Sequence, residues 1–145
     1  MDVAGSKSLG KDDSSGFEFA QEMLAGDVTA AINFDRIQRN AKTGKYIIFE
    51  YLLCEESQKV NPYTSHPNRY WHKNKRKFLS LFQVANDLKA TLYLVNYAKK
   101  GTKHEDKILL MEVIDADENH IQTEDYKTIR KEFSKRFRKL NAACL

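Results

Sequence analysis

Hydrophobic positions along the chain recur at two spacings, which predict alternating strands and helices. Residues 46–54 are almost continuously apolar and rich in β-branched and aromatic side chains, as in a strand buried on both faces. Residues 28–39 alternate between apolar and polar side chains, and the turn-forming segment 40–45 separates the two runs. We therefore expect a β-hairpin in this part of the chain.

Helical spacing dominates in three other segments. Ser15 and Glu18 have the spacing of a capping box, which opens a short amphipathic helix that Gly26 can end. Residues 75–90 carry apolar side chains at intervals of three and four, which predicts a second helix. Thr123 is expected to cap a final helix. The apolar stripe of that helix consists of Tyr126, Ile129, Phe133, Phe137 and Leu140.

Two further apolar runs, 91–98 and 107–115, predict a second hairpin. The expected order is helix, strand, strand, helix, strand, strand, helix. This order indicates a single α/β (α+β) domain over residues 15–145, in which helices flank a mixed sheet. Residues 1–14 are small and polar, which predicts a disordered leader. The polar segment 55–74 contains both prolines and predicts a long surface loop, a kind of segment that is often functional.

Composition restricts the class of protein. The 145 residues are 41% hydrophobic and 30% charged, as in ordinary soluble domains. The sequence contains neither a long apolar run nor a secretory signal, so we expect a cytoplasmic protein with no membrane contact. The net charge of +4 is unevenly distributed: residues 121–145 carry 7 basic and 3 acidic side chains, and residues 69–77 carry basic residues without any acid. Such clustering favours a polyanionic partner.

The first hairpin brings two carboxylates together. If its turn is centred on residues 42 and 43, cross-strand partners have numbers that sum to 85, so Asp35 lies opposite Glu50. Directly opposed like charges repel, and a divalent cation such as Mg²⁺ would compensate both. Two alternatives stay open. Glu50 pairs with a nearby Lys or Arg as a structural contact, or a five-residue loop shifts the register by one and turns Asp35 away.

These residues resemble a known family. A short helix, a hairpin with Asp35 on one strand and Glu50 on the next, a further helix and a strand are similar to the restriction-endonuclease-like PD-(D/E)xK nuclease superfamily over about residues 15–115. The resemblance implies a phosphodiesterase that depends on Mg²⁺ (or Mn²⁺). It also implies that Asp35 and Glu50 bind the metal, with Glu18 or Glu22 of the first helix as an auxiliary ligand.

The chain departs from the family pattern at three points. Leu52 stands where the motif has its lysine, Phe34 stands where it has its proline, and two strands rather than three precede the central helix. A lysine at that position would orient the attacking water and stabilise the charge of the transition state. Lys75 and Lys77, at the start of the next helix, are the candidate replacements.

Basic and aromatic side chains alternate in a second candidate site. Lys and Arg can contact phosphates while an aromatic ring stacks on a base. The proposed nucleic-acid contacts are Arg69, Tyr70, Trp71, Lys73 and Arg76. The alternative is that Trp71 is a core anchor beside a solvated helix start. The cations of the last helix likewise form either a solvated face or a nucleic-acid face.

The sequence therefore predicts a nucleic-acid-binding protein that resembles a metal-dependent endonuclease, with DNA rather than RNA as its substrate. The alternative is a non-catalytic module on the same fold, which binds nucleic acid, a protein partner or a second copy of itself.

Overall fold

The computed structural model describes residues 11–145, which divide into two units. The first unit ends at Ala31, and its described helix is α1 (Lys11–Leu24). This helix begins four residues before the predicted cap at Ser15, so the expected leader is helical over residues 11–14, while residues 1–10 lie outside the described part. Ala25 and Gly26 follow the helix and have positive φ angles. Gly26 adopts its φ of +95° without strain because it has no side chain. The predicted domain, 15–145, spans the boundary between the units and stays a prediction.

The second unit, Ile32–Leu145, contains a five-stranded mixed sheet. The strands lie in chain order, and only the central β2–β3 pair is parallel. The strands are β1 (Arg36–Arg39), β2 (Tyr46–Leu53), β3 (Thr91–Tyr97), β4 (Lys107–Ala116) and β5 (Ile121–Ile129). The other elements are a 3₁₀ helix (Pro67–Tyr70), α2 (Trp71–Leu88) and α3 (Arg130–Ala142). The predicted mixed α+β class is confirmed.

Helices α2 and α3 pack on opposite faces of the sheet, because β2 is apolar on both. Ile48 belongs to the cluster under α2, where Phe78 and Leu81 are also buried. Phe49, the next residue, belongs to the cluster under α3 and contacts Phe137 edge-on at 5.3 Å between ring centroids. Successive side chains of a strand point to opposite faces, so a continuous apolar run can be covered twice.

The predicted start of the last helix at Thr123 is wrong. Residues 121–129 form strand β5, which pairs antiparallel with β4, and α3 begins only at Arg130. Tyr126 and Ile129 therefore belong to a strand, while Phe133 and Phe137 do pack on the sheet from α3. The segment is rich in Ile, Thr and Tyr, which favour strands, and the carboxylate of Asp117 accepts the N–H groups of Asn119 and His120 in the hairpin turn. Six of the nine side chains of β5 are polar, as its position at the edge of the sheet allows.

The other boundaries differ less from the prediction. The first strand is confined to the last four residues of the predicted run 28–39. Helix α2 begins at Trp71 rather than Lys75, since Trp71 lies two turns before Phe78 and continues its apolar stripe. Within residues 11–145, no helix has the length and apolarity that crossing a bilayer requires.

Candidate metal and phosphodiester site

The register of the first hairpin places Asp35 beside Glu50. Arg36 pairs with Phe49 and Arg39 with Tyr46, so the predicted sum of 85 is confirmed and the one-residue slip is excluded. The turn is fixed by Asn40, whose carboxamide oxygen accepts the N–H groups of Lys42 and Thr43 at 2.9 and 3.0 Å. Asp35 lies one position beyond the last pair of this ladder, and its own N–H donates to the carbonyl of Phe49 at 3.2 Å.

A backbone contact orients the exposed Asp35 carboxylate. The N–H of Tyr51 donates to Oδ2 of Asp35 at 2.8 Å. A charged acceptor makes this hydrogen bond stronger than a neutral one. It also leaves the second carboxylate oxygen of Asp35 available to another ligand. No side-chain pattern in the sequence could have identified Tyr51, because the contact is made by its backbone.

Glu50 is buried in the middle of the sheet. It lies on β2 between β1 and β3, and 5% of its surface is exposed. Its Oε1 atom forms an ion pair with Nζ of Lys77 at 3.5 Å, but its Oε2 atom is buried and has no hydrogen-bond partner among the described residues. An ionised carboxylate oxygen in this environment lacks a donor or cation that would compensate for the water it has lost.

Burial raises the pKa of Glu50 from 4.5 to about 7. The next largest cause is Asp35, to which a protonated Glu50 can donate a hydrogen bond, and the positive charge of Lys77 acts in the opposite direction. Two neighbouring carboxylates that share one proton are a common result of such proximity. A divalent cation at the same position would replace the proton and favour the ionised form of both groups.

The two candidate lysines are directed to different partners. Lys77 reaches Glu50, whereas Nζ of Lys75 lies 3.0 Å from Oε2 of Glu118. Residues two positions apart on a helix point about 200° away from each other, so both could not face the same carboxylate. Lys77 is therefore the lysine that the fold brings to the carboxylate pair.

The residues present fit a divalent cation. Asp35 and Glu50 offer oxygen atoms, and one of them, Oε2 of Glu50, is buried without a partner within residues 14–145. In the described part of the chain, no group of three or more His, Cys, Asp and Glu side chains could hold a metal. Two carboxylates still suffice for Mg²⁺, which usually keeps several waters and takes further ligands from substrate phosphates. Glu18 and Glu22 lie on α1 in the first unit, and their role as auxiliary ligands stays a prediction.

Trp71 is a core anchor, which corrects its assignment as a platform for stacked bases. It is 2% exposed, stacks on Phe78 at 5.8 Å between centroids, and donates its indole N–H to the carbonyl of Asp117 at 3.2 Å. A base cannot reach a ring that is already enclosed.

Tyr70 is also partly enclosed, since its ring lies 6.3 Å from that of Phe78 and burial raises the pKa of its hydroxyl to about 12. The Arg69, Lys73 and Arg76 side chains are exposed on the outer side of the 3₁₀ helix and α2. Their contact with phosphates stays a prediction.

The prolines of the predicted surface loop are buried. Pro62 and Pro67 are fully enclosed, and the carboxamide of Asn96 on β3 donates to the carbonyls of Pro62 and Ser65 at 3.1 and 2.6 Å. The loop is thus fixed over the α2 side of the sheet. The polar Asn96 within an apolar strand was the sequence signal for this contact.

A cleft of about 420 Å³ lies where β2 and β3 end. Its lining includes Cys54, Glu56 and His104. Burial raises the pKa of the Cys54 thiol, which makes it a poor nucleophile at neutral pH.

No protein-family model, no curated protein and no solved structure matches this chain.

Proposed function

We propose that the chain is a nuclease that depends on a divalent metal and hydrolyses phosphodiester bonds in nucleic acid. The observation that carries this proposal is the pair Asp35 and Glu50, in which Oε2 of Glu50 is buried without a partner in the described part of the chain. Asp35 and Glu50 would hold Mg²⁺ (or Mn²⁺). When bound, such an ion supplies a more acidic water and neutralises charge on the phosphate.

The chain's own residues have three roles in this proposal. The Tyr51 N–H keeps the Asp35 carboxylate in place, so that its free oxygen is directed without loss of side-chain entropy at the moment of binding. Without a cation, Glu50 is only partly ionised at neutral pH, because burial raises its pKa to about 7. Lys77 carries the positive charge that would stabilise the developing negative charge on the phosphate, the role of the lysine that is absent at Leu52.

The proposed substrate is DNA, and the proposed location is the cytoplasm. Lys73 and Arg76 are exposed on α2, the same helix that carries Lys77. Cations on that helix can hold the phosphate backbone while the carboxylates act on one linkage.

A second candidate function is a non-catalytic binding module. The ion pair of Lys77 with Glu50 favours it, because this contact also satisfies one oxygen of a buried carboxylate without any metal. In that case the pair is a structural contact, and the chain binds nucleic acid, another protein or a second copy of itself.

A cleavage assay distinguishes the two functions. Single- and double-stranded DNA and RNA are incubated with the protein and Mg²⁺ or Mn²⁺, and then with EDTA. We expect cleavage that EDTA abolishes and that Asp35→Asn and Glu50→Gln each reduce by about 10²-fold or more. Asp106→Asn, which removes an exposed carboxylate between β3 and β4, is the matched control and keeps full activity. Absence of cleavage with either metal, or full activity of both site variants, would favour the binding module.

A further inference from the structure

A groove between α3 and β5 combines cations with an exposed aromatic ring. It has a volume of about 270 Å³. Its lining consists of Tyr126 and Thr128 from β5 and Glu132, Lys135, Arg136 and Lys139 from α3. We call it the α3–β5 groove. It lies on the α3 side of the sheet, whereas Lys77 reaches Glu50 from the α2 side.

The aromatic side chain of the groove is open to solvent and lies beside a cation. Tyr126 is 53% exposed, and the guanidinium of Arg136 lies 5.2 Å from the centroid of its ring. Such a contact fixes the cation at the ring without enclosing it. Aromatic rings and Arg planes are the surfaces on which unpaired bases stack.

The groove has an excess of positive charge along α3. Lys135 and Lys139 follow each other by one helical turn, and both are exposed. The only acid in the lining is Glu132, whose Oε1 atom lies 3.5 Å from Nζ of Lys135. Beyond Tyr126, Glu112 and Glu124 are cross-strand partners on β4 and β5 and line the adjoining pocket, so their negative charges would repel a polyanion from that side.

We infer that the α3–β5 groove binds single-stranded nucleic acid, with phosphates at Lys135 and Lys139 and a base against Tyr126. A single strand fits better than a duplex, because only an unpaired base can leave its stack and contact the ring. This inference rests on the proposed function only for the class of ligand. It adds a binding site on the face of the sheet opposite the carboxylate pair.

Binding of a labelled, mixed-sequence 12-nucleotide single-stranded DNA is measured by fluorescence anisotropy in EDTA, so that cleavage does not enter. We expect Lys135→Gln/Lys139→Gln to weaken binding about tenfold and to reduce the salt slope by about 1.4, the value for two lost phosphate contacts on a single strand. Tyr126→Ser is expected to weaken binding by about tenfold. Glu132→Gln is expected to tighten binding, a gain that misfolding could not produce.

The matched control is Lys131→Gln/Arg138→Gln, which removes two cations of the same helix outside the groove lining. We expect it to change the affinity by no more than about twofold. Equal losses in both double variants would overturn the inference in favour of diffuse attraction to the helix. The inference would also be overturned if the protein bound a duplex or phosphatidylserine vesicles more tightly than the single strand, and if the Lys135→Gln/Lys139→Gln variant lost that binding.

The outcome is separable from that of the proposed nuclease. Asp35→Asn should abolish cleavage and leave binding in EDTA unchanged, whereas Tyr126→Ser should weaken binding and leave the carboxylate pair intact. A wild-type protein that binds the strand through the groove but never cleaves would contradict the nuclease alone. A protein that cleaves but binds independently of Tyr126, Lys135 and Lys139 would contradict the groove alone.

Discussion

Nζ of Lys77 on α2 lies 3.5 Å from Oε1 of Glu50 on β2, and this contact joins a helix to the centre of the sheet it covers. The two partners differ in exposure: the side chain of Lys77 is 46% exposed and that of Glu50 is 7% exposed. Water therefore screens the lysine, while the carboxylate bears most of the desolvation cost. As a result the ion pair only partly offsets the burial of Glu50, whose pKa is raised to about 7.

Replacing Lys77 should separate catalysis from folding. If the nuclease proposal holds, Lys77→Met reduces cleavage by about 10²-fold, because it removes the charge that stabilises the transition state. It should also raise the pKa of Glu50 further, since Lys77 lowers that pKa. The measurement is a cleavage rate against pH. Lys75→Met is the control, because Lys75 pairs with Glu118. Equal effects of the two variants would contradict a specific role for Lys77.

The stability of the protein should fall as pH rises through neutrality. The pKa of Glu50 is about 7 in the folded state, and we take 4.5 as its pKa in the unfolded chain. Between these values the folded state holds a proton that the unfolded state has lost, so the stabilisation is complete below pH 4.5 and is lost as the pH passes 7. The expected loss is about 3 kcal/mol in the free energy of unfolding.

Urea denaturation at pH 5 and pH 8, in EDTA, measures this loss. Glu50→Gln cannot ionise, so its stability should change less than that of the wild type over the same interval. A wild type and variant that change in parallel would show that Glu50 does not titrate in this range.

A divalent cation should stabilise the folded protein at alkaline pH. With a dissociation constant of about 1 mM, 10 mM Mg²⁺ would raise the free energy of unfolding by about 1.4 kcal/mol. The effect should be smaller at pH 6, where a proton competes for Glu50, and absent in Asp35→Asn. Thermal unfolding with and without Mg²⁺ measures it. Stabilisation that persists in both Asp35→Asn and Glu50→Gln would place the cation elsewhere.

Trp71 should matter for stability and not for contact with bases. Its ring is buried against Phe78, so Trp71→Ala is expected to lower the free energy of unfolding by about 3–5 kcal/mol. Trp71→Phe keeps most of the apolar volume and should bind a single-stranded oligonucleotide as tightly as the wild type. The control is Asn74→Ala, which changes an exposed polar residue on the same helix. A selective loss of oligonucleotide affinity in a folded Trp71→Phe protein would restore the stacking role.

Local patterns predicted the parts of the fold in which one segment determines its own structure. The run 46–54 predicted a strand covered on both faces, and the turn after Asn40 predicted the pairing of Asp35 with Glu50. Spacing failed at β5, where an apolar residue every third or fourth position fits a helix, but pairing with β4 selects a strand. The stripe around Phe133 is helical in both interpretations, but the fifth strand, β5, was not predicted.

The sequence by itself determined which side chains could share a face: a two-residue period along β1 and β2 is a local property, and it placed Asp35 and Glu50 on one side of a hairpin. The tertiary structure decided what surrounds them. Packing of α2 on the sheet brought Lys77 rather than Lys75 to Glu50, enclosed Trp71, and left Oε2 of Glu50 without a partner. These outcomes depend on contacts between residues far apart in the chain. Glu50 is buried only after those residues have packed, and its pKa is raised only then.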